Sequence, residues 1–189
     1  PATDEVEVVN YSPGTHKGLT AKVQVLNMDA SVAWEKEATV DSNEDTTNKC
    51  IKLSFPADLS KVHFIKMVLT ENGKVVSDNF YHRSLEENNY QDLRQLAKVA
   101  LQTTTTVDKN ADGTWSAVSV VENKTSTPAL MIRLNVVGNK DGQQLLPVFY
   151  SDNYFSLLPG EKKEVRMSWK DEDTRGNEGE VLITGYNVE

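Results

Sequence analysis

Cysteine is almost missing from this chain. Among 189 residues there is one, Cys50, so no internal disulfide can staple the fold and stability must come from packing. It sits in the run Cys50-Ile-Lys-Leu-Ser-Phe55 and reads as a small buried hydrophobe. A nucleophilic role would need an activating base beside it in space. Histidine is nearly as sparse: His16, His63 and His82 are scattered, and none falls in a recognisable motif. No apolar run is long enough to span a bilayer. The residues in hand show no signal-peptide pattern, which says little about compartment. The chain opens Pro1-Ala2-Thr3 rather than on Met, which reads as the start of a mature or excised fragment. There is no P-loop, dinucleotide fingerprint, nucleophile elbow, His-Glu-x-x-His or paired Cys-x-x-Cys. Basic residues are dispersed, and 20 Lys plus Arg against 28 Asp plus Glu leave a net charge of −8. That balance excludes non-specific binding to nucleic acid or anionic membrane as a leading role.

What is abundant is short, turn-bounded, alternating sequence. Glu5-Val-Glu-Val-Val9, Leu19–Leu26, Val32–Val40, Lys49–Phe55, Val62–Leu69 and Lys74–Tyr81 read as strands. In Val32–Val40 the alternation predicts Val32 and Trp34 on one face and Glu35 and Glu37 on the other. Asn72-Gly73 between two such runs is a strong hairpin signal, because both positions tolerate positive φ. Ser84–Ala97 interrupts the pattern. It is polar, and Tyr90, Leu93, Leu96 and Ala97 recur at helical spacing, which predicts a linker with one or two helical turns. Strands resume at Val99–Val107, Thr114–Glu122, Ala129–Val137, Leu145–Tyr150, Lys162–Trp169 and Glu180–Val188, with Lys170–Gly179 as a charged loop. The four threonines Thr103–Thr106 favour a strand. The expectation is an all-β chain of two immunoglobulin-like sandwiches in tandem, residues 1–83 and 98–189, joined by a linker at 84–97.

Candidate chemistry is thin. Asp108-Lys-Asn110-Ala-Asp112-Gly113 matches the first half of a calcium loop, but position twelve, which should be a bidentate Glu, is Ser119. A hairpin turn accounts for the same residues. Asp171-Glu-Asp173 and Glu86-Glu87 are adjacent carboxylates on loops, without the separation and burial that glycoside hydrolysis needs, and they read as solvated. Trp34, Trp115 and Trp169 each lie in an alternating strand, where packing is the usual fate. With Tyr11 and Tyr154 they are the candidates for a sugar platform, which would need several coplanar exposed rings. Asn123-Lys-Thr125 fits a glycosylation acceptor, and chance accounts for it as well. In Tyr150–Glu161, Asp152 and Asn153 are expected to bond backbone within their own domain, with Tyr154 or Phe155 largely buried. The shorter echo Val76-Ser-Asp-Asn-Phe-Tyr81 lies at a different topological position, so it is poor support for a duplicated site.

The order of the segments carries a resemblance. Val8-Val-Asn10, Gly18–Asp29 and Phe64–Tyr81 resemble the penultimate sandwich of the β-glycosidases of glycoside hydrolase family 2, in the group of exo-β-D-glucosaminidases, β-mannosidases and mannosylglycoprotein endo-β-mannosidases. Tyr90–Val99 is similar to the connector before the last sandwich of those enzymes. Ser151-Asp-Asn-Tyr-Phe155 followed by Leu158-Pro-Gly-Glu161 resembles a segment of that last sandwich. One departure is local: His82-Arg83 follows Tyr81 where many members place a Trp. In that family the two catalytic glutamates lie on an upstream (β/α)₈ barrel, which takes about 250 residues. The resemblance therefore implies a non-catalytic C-terminal accessory region, with no catalytic, cofactor or metal residue to carry over. Its implied partner is the catalytic part of the same polypeptide, with an oligosaccharide second. It also implies export. The rival expectation is an independent carbohydrate-binding or adhesive module.

Overall fold

The computed structural model describes residues 3–189; the Pro1-Ala2 start lies outside the described residues. The chain forms two compact units that divide between Gln95 and Leu96. Each is a sandwich of antiparallel strands.

The first unit contains β1 (Glu5–Asn10), β2 (His16–Asn27), β3 (Val32–Ser42), β4 (Thr46–Lys52), β5 (Val62–Glu71) and β6 (Lys74–Ser84). A four-stranded sheet in the order β3-β2-β5-β6 faces a two-stranded sheet of β1 and β4. Alternate residues of β1, β2 and β5 supply the core: Val6, Ala21, Val23, Val25 and Ile65, joined by Ile51 and Leu59. Each such side chain contributes about 1.5–3 kcal/mol on burial. The β5–β6 hairpin turns through Asn72 (φ 50°) and Gly73 (φ 76°), the two positive φ values that a tight two-residue hairpin requires.

Two expectations are corrected in this unit. Val32 and Trp34 do not share a face. Trp34 pairs with Val25 but Val32 pairs with Leu26, so the register shifts between them. The bulge carries Ala33 and Trp34 onto the core while Val32 is 53% exposed. The fourth strand runs from Thr46 to Lys52 rather than Lys49–Phe55, because its ladder spans the length of β1, from Thr46 opposite Asn10 to Lys52 opposite Glu5. Leu53 and Phe55 pack on the core from the loop beyond.

A 3-10 helix, Gln91–Gln95, follows β6. The second unit then contains β7 (Gln102–Lys109), β8 (Thr114–Glu122), β9 (Ala129–Gly138), β10 (Phe149–Tyr150), β11 (Phe155–Leu157), β12 (Lys162–Lys170) and β13 (Gly179–Thr184). Its sheets run β10-β12-β8-β7 and β11-β9-β13. Val121, Ile132, Leu134, Val136, Val165 and Trp169 lie between them. Asn187 closes one end of the unit. Its buried amide donates to Ala97 O (3.0 Å) and Pro128 O (2.9 Å) and accepts from Leu130 N (3.0 Å). The expected strand Leu145–Tyr150 shortens to Phe149–Tyr150, since Pro147 has no N–H for a ladder. The expected last strand, Glu180–Val188, stops at Thr184, and Val188 instead bridges Val99. The loop after β12 folds its acidic residues into a 3-10 helix, Asp171–Thr174.

Candidate functional site

A groove of about 680 Å³ opens in the first unit. Strand β1 forms one wall, and the inward faces of β5 and β6 form the floor and the other wall. Cross-strand pairing sets Ile65 opposite Tyr81, Met67 opposite Asn79 and Leu69 opposite Ser77, so these six side chains share the inward face. Apolar side chains thus lie at the centre and polar ones toward the open edge. Tyr81 stands 50% exposed at that edge. Arg83 donates to Asp4 Oδ1 at 2.8 Å and lies 5.0 Å from the Phe55 ring centroid. On the opposite face of the sheet, Phe64, Phe80 and His82 form an aromatic cluster in which His82 meets both phenylalanine rings edge-on. Burial pushes the His82 pKa down, so its ring is held neutral. Cys50 is half-buried beside the core. Its thiol donates to Val6 O at 3.3 Å and is pushed up in pKa by burial, the opposite of an activated nucleophile.

The second unit organises Tyr150–Glu161 as a joint. The chain leaves β10 in one sheet and enters β11 in the other within five residues. Asn153 Oδ1 accepts from Leu134 N (2.9 Å) and Tyr154 N (3.0 Å), while Nδ2 donates to Leu134 O (2.9 Å). Asp152 accepts from Asn153 N and pairs with Lys163. Phe155 is 8% exposed and Tyr154 is 62% exposed, with the Arg133 guanidinium 5.9 Å from the Tyr154 ring centroid. Both expectations for this stretch hold: its amides and carboxylates serve its own domain, and one aromatic is an anchor.

The remaining singled-out residues do not converge. In Asp108–Gly113 the Asp112 carboxylate accepts from Thr114 N (3.0 Å) and Thr114 Oγ1 (2.6 Å), and Asn110 donates to Thr114 Oγ1 (2.9 Å). The loop is a hairpin turn. Ser119 lies on β8, bonded to Thr105 at 2.8 Å. Asn123 is fully buried and donates to Thr127 O and Leu157 O; the acceptor nitrogen is consumed by the fold. Glu86 pairs with Lys61 at 2.8 Å. Asp171 remains partly exposed, as the solvated reading expects, and is also tied to two neighbours. Its carboxylate accepts from Trp115 Nε1 (2.8 Å) and Lys109 Nζ (2.9 Å), and these bonds hold it below the usual carboxylate range. Among the described residues no three His, Cys, Asp or Glu side chains are placed to hold a metal. Sequence reasoning missed the groove and the Asp171 tie. Neither has a local signal, since the tie joins residues 56 apart and the groove sets β1 against strands β5 and β6 more than 50 residues on.

Of the five candidate platform rings, Trp169 is buried and Trp34 and Trp115 pack against their cores, leaving Tyr11 and Tyr154 exposed in different units. What the two sandwiches define is an immunoglobulin-like accessory region.

Comparison with known proteins names it further. Residues 79–188 match the exo-beta-D-glucosaminidase Ig-fold domain, and residues 4–84 match the mannosidase Ig/CBM-like domain. The chain belongs to the exo-β-D-glucosaminidase Ig-fold domain family. An exo-beta-D-glucosaminidase of Streptomyces avermitilis is 31% identical over 97% of this chain and 23% of its own length. One of Amycolatopsis orientalis is 28% identical over 97% of this chain and 20% of its own length. The crystal structure of the Amycolatopsis orientalis exo-chitosanase CsxA superposes with a TM-score of 0.91 at 26% identity, covering 99% of this chain and 25% of that one. A β-D-mannosidase from Dictyoglomus thermophilum, at 13% identity and a TM-score of 0.59, shares the fold. The chain therefore spans less than a quarter of the length of these curated relatives and corresponds to a non-catalytic, immunoglobulin-like region of family 2 glycosidases.

Proposed function

We propose that this chain is the accessory part of a longer family 2 exo-β-glucosaminidase, in which it packs against and supports a catalytic barrel carried by the same polypeptide. The observation that carries the reading is the coverage: nearly the whole chain aligns, and it accounts for about a fifth to a quarter of each of these relatives. The side-chain chemistry agrees. The acidic residues Glu86, Asp112, Asp152 and Asp171 serve turns and ion pairs, the thiol is deactivated, and the tryptophans are spent on packing. Residues 1–83 and 98–189 act as the two sandwiches, with 84–97 between them. A β-mannosidase-type specificity is the alternative within the same group. Export of the parent protein follows from the family resemblance.

Assay of the isolated chain on an aryl β-glucosaminide tests the reading, with turnover no faster than buffer as the expected result. Hydrolysis by the chain itself would overturn it. So would a full reading frame that holds a surface anchor or further tandem sandwiches in place of a barrel. Titration calorimetry with glucosamine and mannose oligomers tests the rival. Binding by the isolated chain would favour an independent carbohydrate-binding module.

A further inference from the structure

Three places in the chain set a glycine directly after an asparagine or aspartate: Asn72-Gly73, Asp112-Gly113 and Asp141-Gly142. All three pairs are exposed, and all three glycines hold positive φ. Such a pair carries a latent reaction. The glycine nitrogen lies one residue on from a side-chain carbonyl carbon, and glycine has no Cβ to obstruct the approach. At two of the three places the fold commits both reacting groups. Gly113 N donates to Asn110 O (3.3 Å), and Gly142 N donates to Gly138 O (2.8 Å). The Asp112 carboxylate accepts from Thr114 N and Thr114 Oγ1. The Asp141 carboxylate accepts from Gln143 N (3.0 Å). At the tip of the β5–β6 hairpin neither group is held. The turn closes through Glu71 opposite Lys74, which leaves the N–H of Gly73 outside the ladder. Among the described residues, Gly73 N and the Asn72 side-chain amide have no hydrogen-bond partner. Beyond its chain neighbours, no atom lies within 4 Å of where a Cβ on Gly73 would sit. The pair that carries an amide, a better electrophile than a carboxylate, is thus the pair the fold leaves free.

We propose that Asn72 is a site of spontaneous covalent modification, where the asparagine becomes an aspartate or an isoaspartate through a cyclic imide. Asparagine is among the thermolabile side chains. Gly73 N gives its proton to solvent base and attacks Asn72 Cγ. The new N–Cγ bond closes a five-membered ring, and the Cγ–Nδ2 bond breaks to release ammonia. Water then opens the ring. Addition at Cγ breaks the new bond and leaves an aspartate. Addition at the main-chain carbonyl carbon breaks the original peptide bond and leaves an isoaspartate, whose backbone runs through the former side chain. Water is the only co-reactant. The two products act differently on the hairpin. The aspartate keeps the turn, since Asp-Gly suits the same pair of positive φ values. It adds a carboxylate next to Glu71, which pairs with His16 Nδ1 at 2.9 Å and ties the start of β2 to the end of β5. The isoaspartate adds a methylene to the main chain. Loop length fixes hairpin register, so a two-residue turn cannot absorb that atom and keep Glu71 opposite Lys74. The altered backbone, rather than the added charge, is what opens the hairpin tip.

The test incubates the full-length protein at mildly alkaline pH, folded and in urea, and reads each site by peptide mapping and mass spectrometry. The Asn72 amide is expected to be lost at much the same rate in both states, and faster as pH rises, because the attacking nitrogen must shed its proton. Isoaspartate at Asp112 and Asp141 is expected in urea but not in the folded protein. Asn72→Gly keeps the turn, since Gly-Gly also accepts two positive φ angles, and should abolish the change. Freshly prepared Asn72→Asp should melt with the native protein, while the isolated isoaspartyl form should melt lower. An Asn72 amide that survives in folded protein but is lost in urea would overturn the proposal. So would isoaspartate arising in folded protein at Asp112 or Asp141 as fast as at Asn72.

Discussion

Trp115 and Trp169 are directly opposed across β8 and β12, and their rings stack with planes 5° apart and centroids 6.3 Å apart. The pair has an inner and an outer member. Trp169 is 2% exposed at the heart of the second unit, while Trp115 caps it and is held by Asp171. The Lys109 ammonium, 5.2 Å from the Trp115 centroid, bonds the same carboxylate. A cation, an anion and two indoles thus seal one end of the sandwich.

Truncation of the two rings should therefore cost unequal amounts. Trp169→Ala is expected to destabilise the second unit by roughly 3–5 kcal/mol, the usual cost of deleting a buried aromatic. Trp115→Ala should cost less, because part of its surface is already in water. Urea unfolding of both variants measures the difference. Equal losses would mean that the outer ring is as deeply committed as the inner one.

Gly179 has no room for a side chain. A Cβ there would lie 2.4 Å from Trp169 Cζ2, and a fully packed indole cannot yield cheaply. Gly179→Ala should destabilise by about 1–3 kcal/mol. Part of that loss should return in the double variant with Trp169→Leu, so a double-mutant cycle reads the contact. Additive losses would show that the steric conflict is absorbed elsewhere.

Asn153 replaces a ladder partner for Leu134. Asn153→Ala strands the N–H and C=O of Leu134 and should cost about 1–3 kcal/mol. Asn153→Asp keeps the acceptor but loses the donor, and should fall between the alanine variant and the native protein. Thermal unfolding ranks the three, and an aspartate variant as stable as the native protein would refute the two-way clamp.

Acid should weaken the first unit through its imidazoles. Burial pushes the His63 pKa down, and the charge of Arg83, its cross-strand partner, acts in the same direction; burial does the same to His82. A depressed folded pKa contributes stability that is complete above the unfolded value, about 6.5, and is lost as pH falls through the folded value. The urea midpoint should fall as pH drops from about 7 toward 5, and His63→Gln with His82→Gln should flatten that slope. An unchanged slope would assign the acid sensitivity to carboxylates instead.

The hairpin turn at Asp108–Gly113 predicts indifference to calcium. Its carboxylate at Asp112 already serves Thr114. Asp112→Ala should lower the melting temperature slightly, and by the same amount with or without the ion. A calcium-dependent rise in the melting temperature would restore the metal reading.

Much of this architecture was legible in the residues. Strand positions followed alternation, and Asn72-Gly73 announced its hairpin because few residue pairs accept two positive φ angles. Failures arose where a partner strand decides. The bulge between Val32 and Trp34 is a property of the pairing with β2, so alternation within β3 misassigned Val32. The ladder with β1 moved β4 toward its N-terminus, although the apolar run continued to Phe55. The tie of Asp171 to Trp115 was not legible because the two lie 56 residues apart. The groove was invisible for a related reason: it sets β1 against strands more than 50 residues on. The Ser151–Tyr154 joint was read correctly because its capping chemistry is mostly local.

That joint has a mechanical consequence. Tyr150 belongs to one sheet, and its phenol oxygen accepts from Val136 N in the other at 3.3 Å; three residues on, Asn153 grips Leu134 on the same strand at both its donor and its acceptor. An apolar interface resists separation but resists sliding poorly, since its contacts carry no direction. A directional bond across the gap supplies what the core lacks. Shear between the two sheets of the second unit must break the Tyr150 bond before the aliphatic layer can slip, while the Asn153 clamp extends the β11–β9 ladder within one sheet and fixes where the chain crosses over.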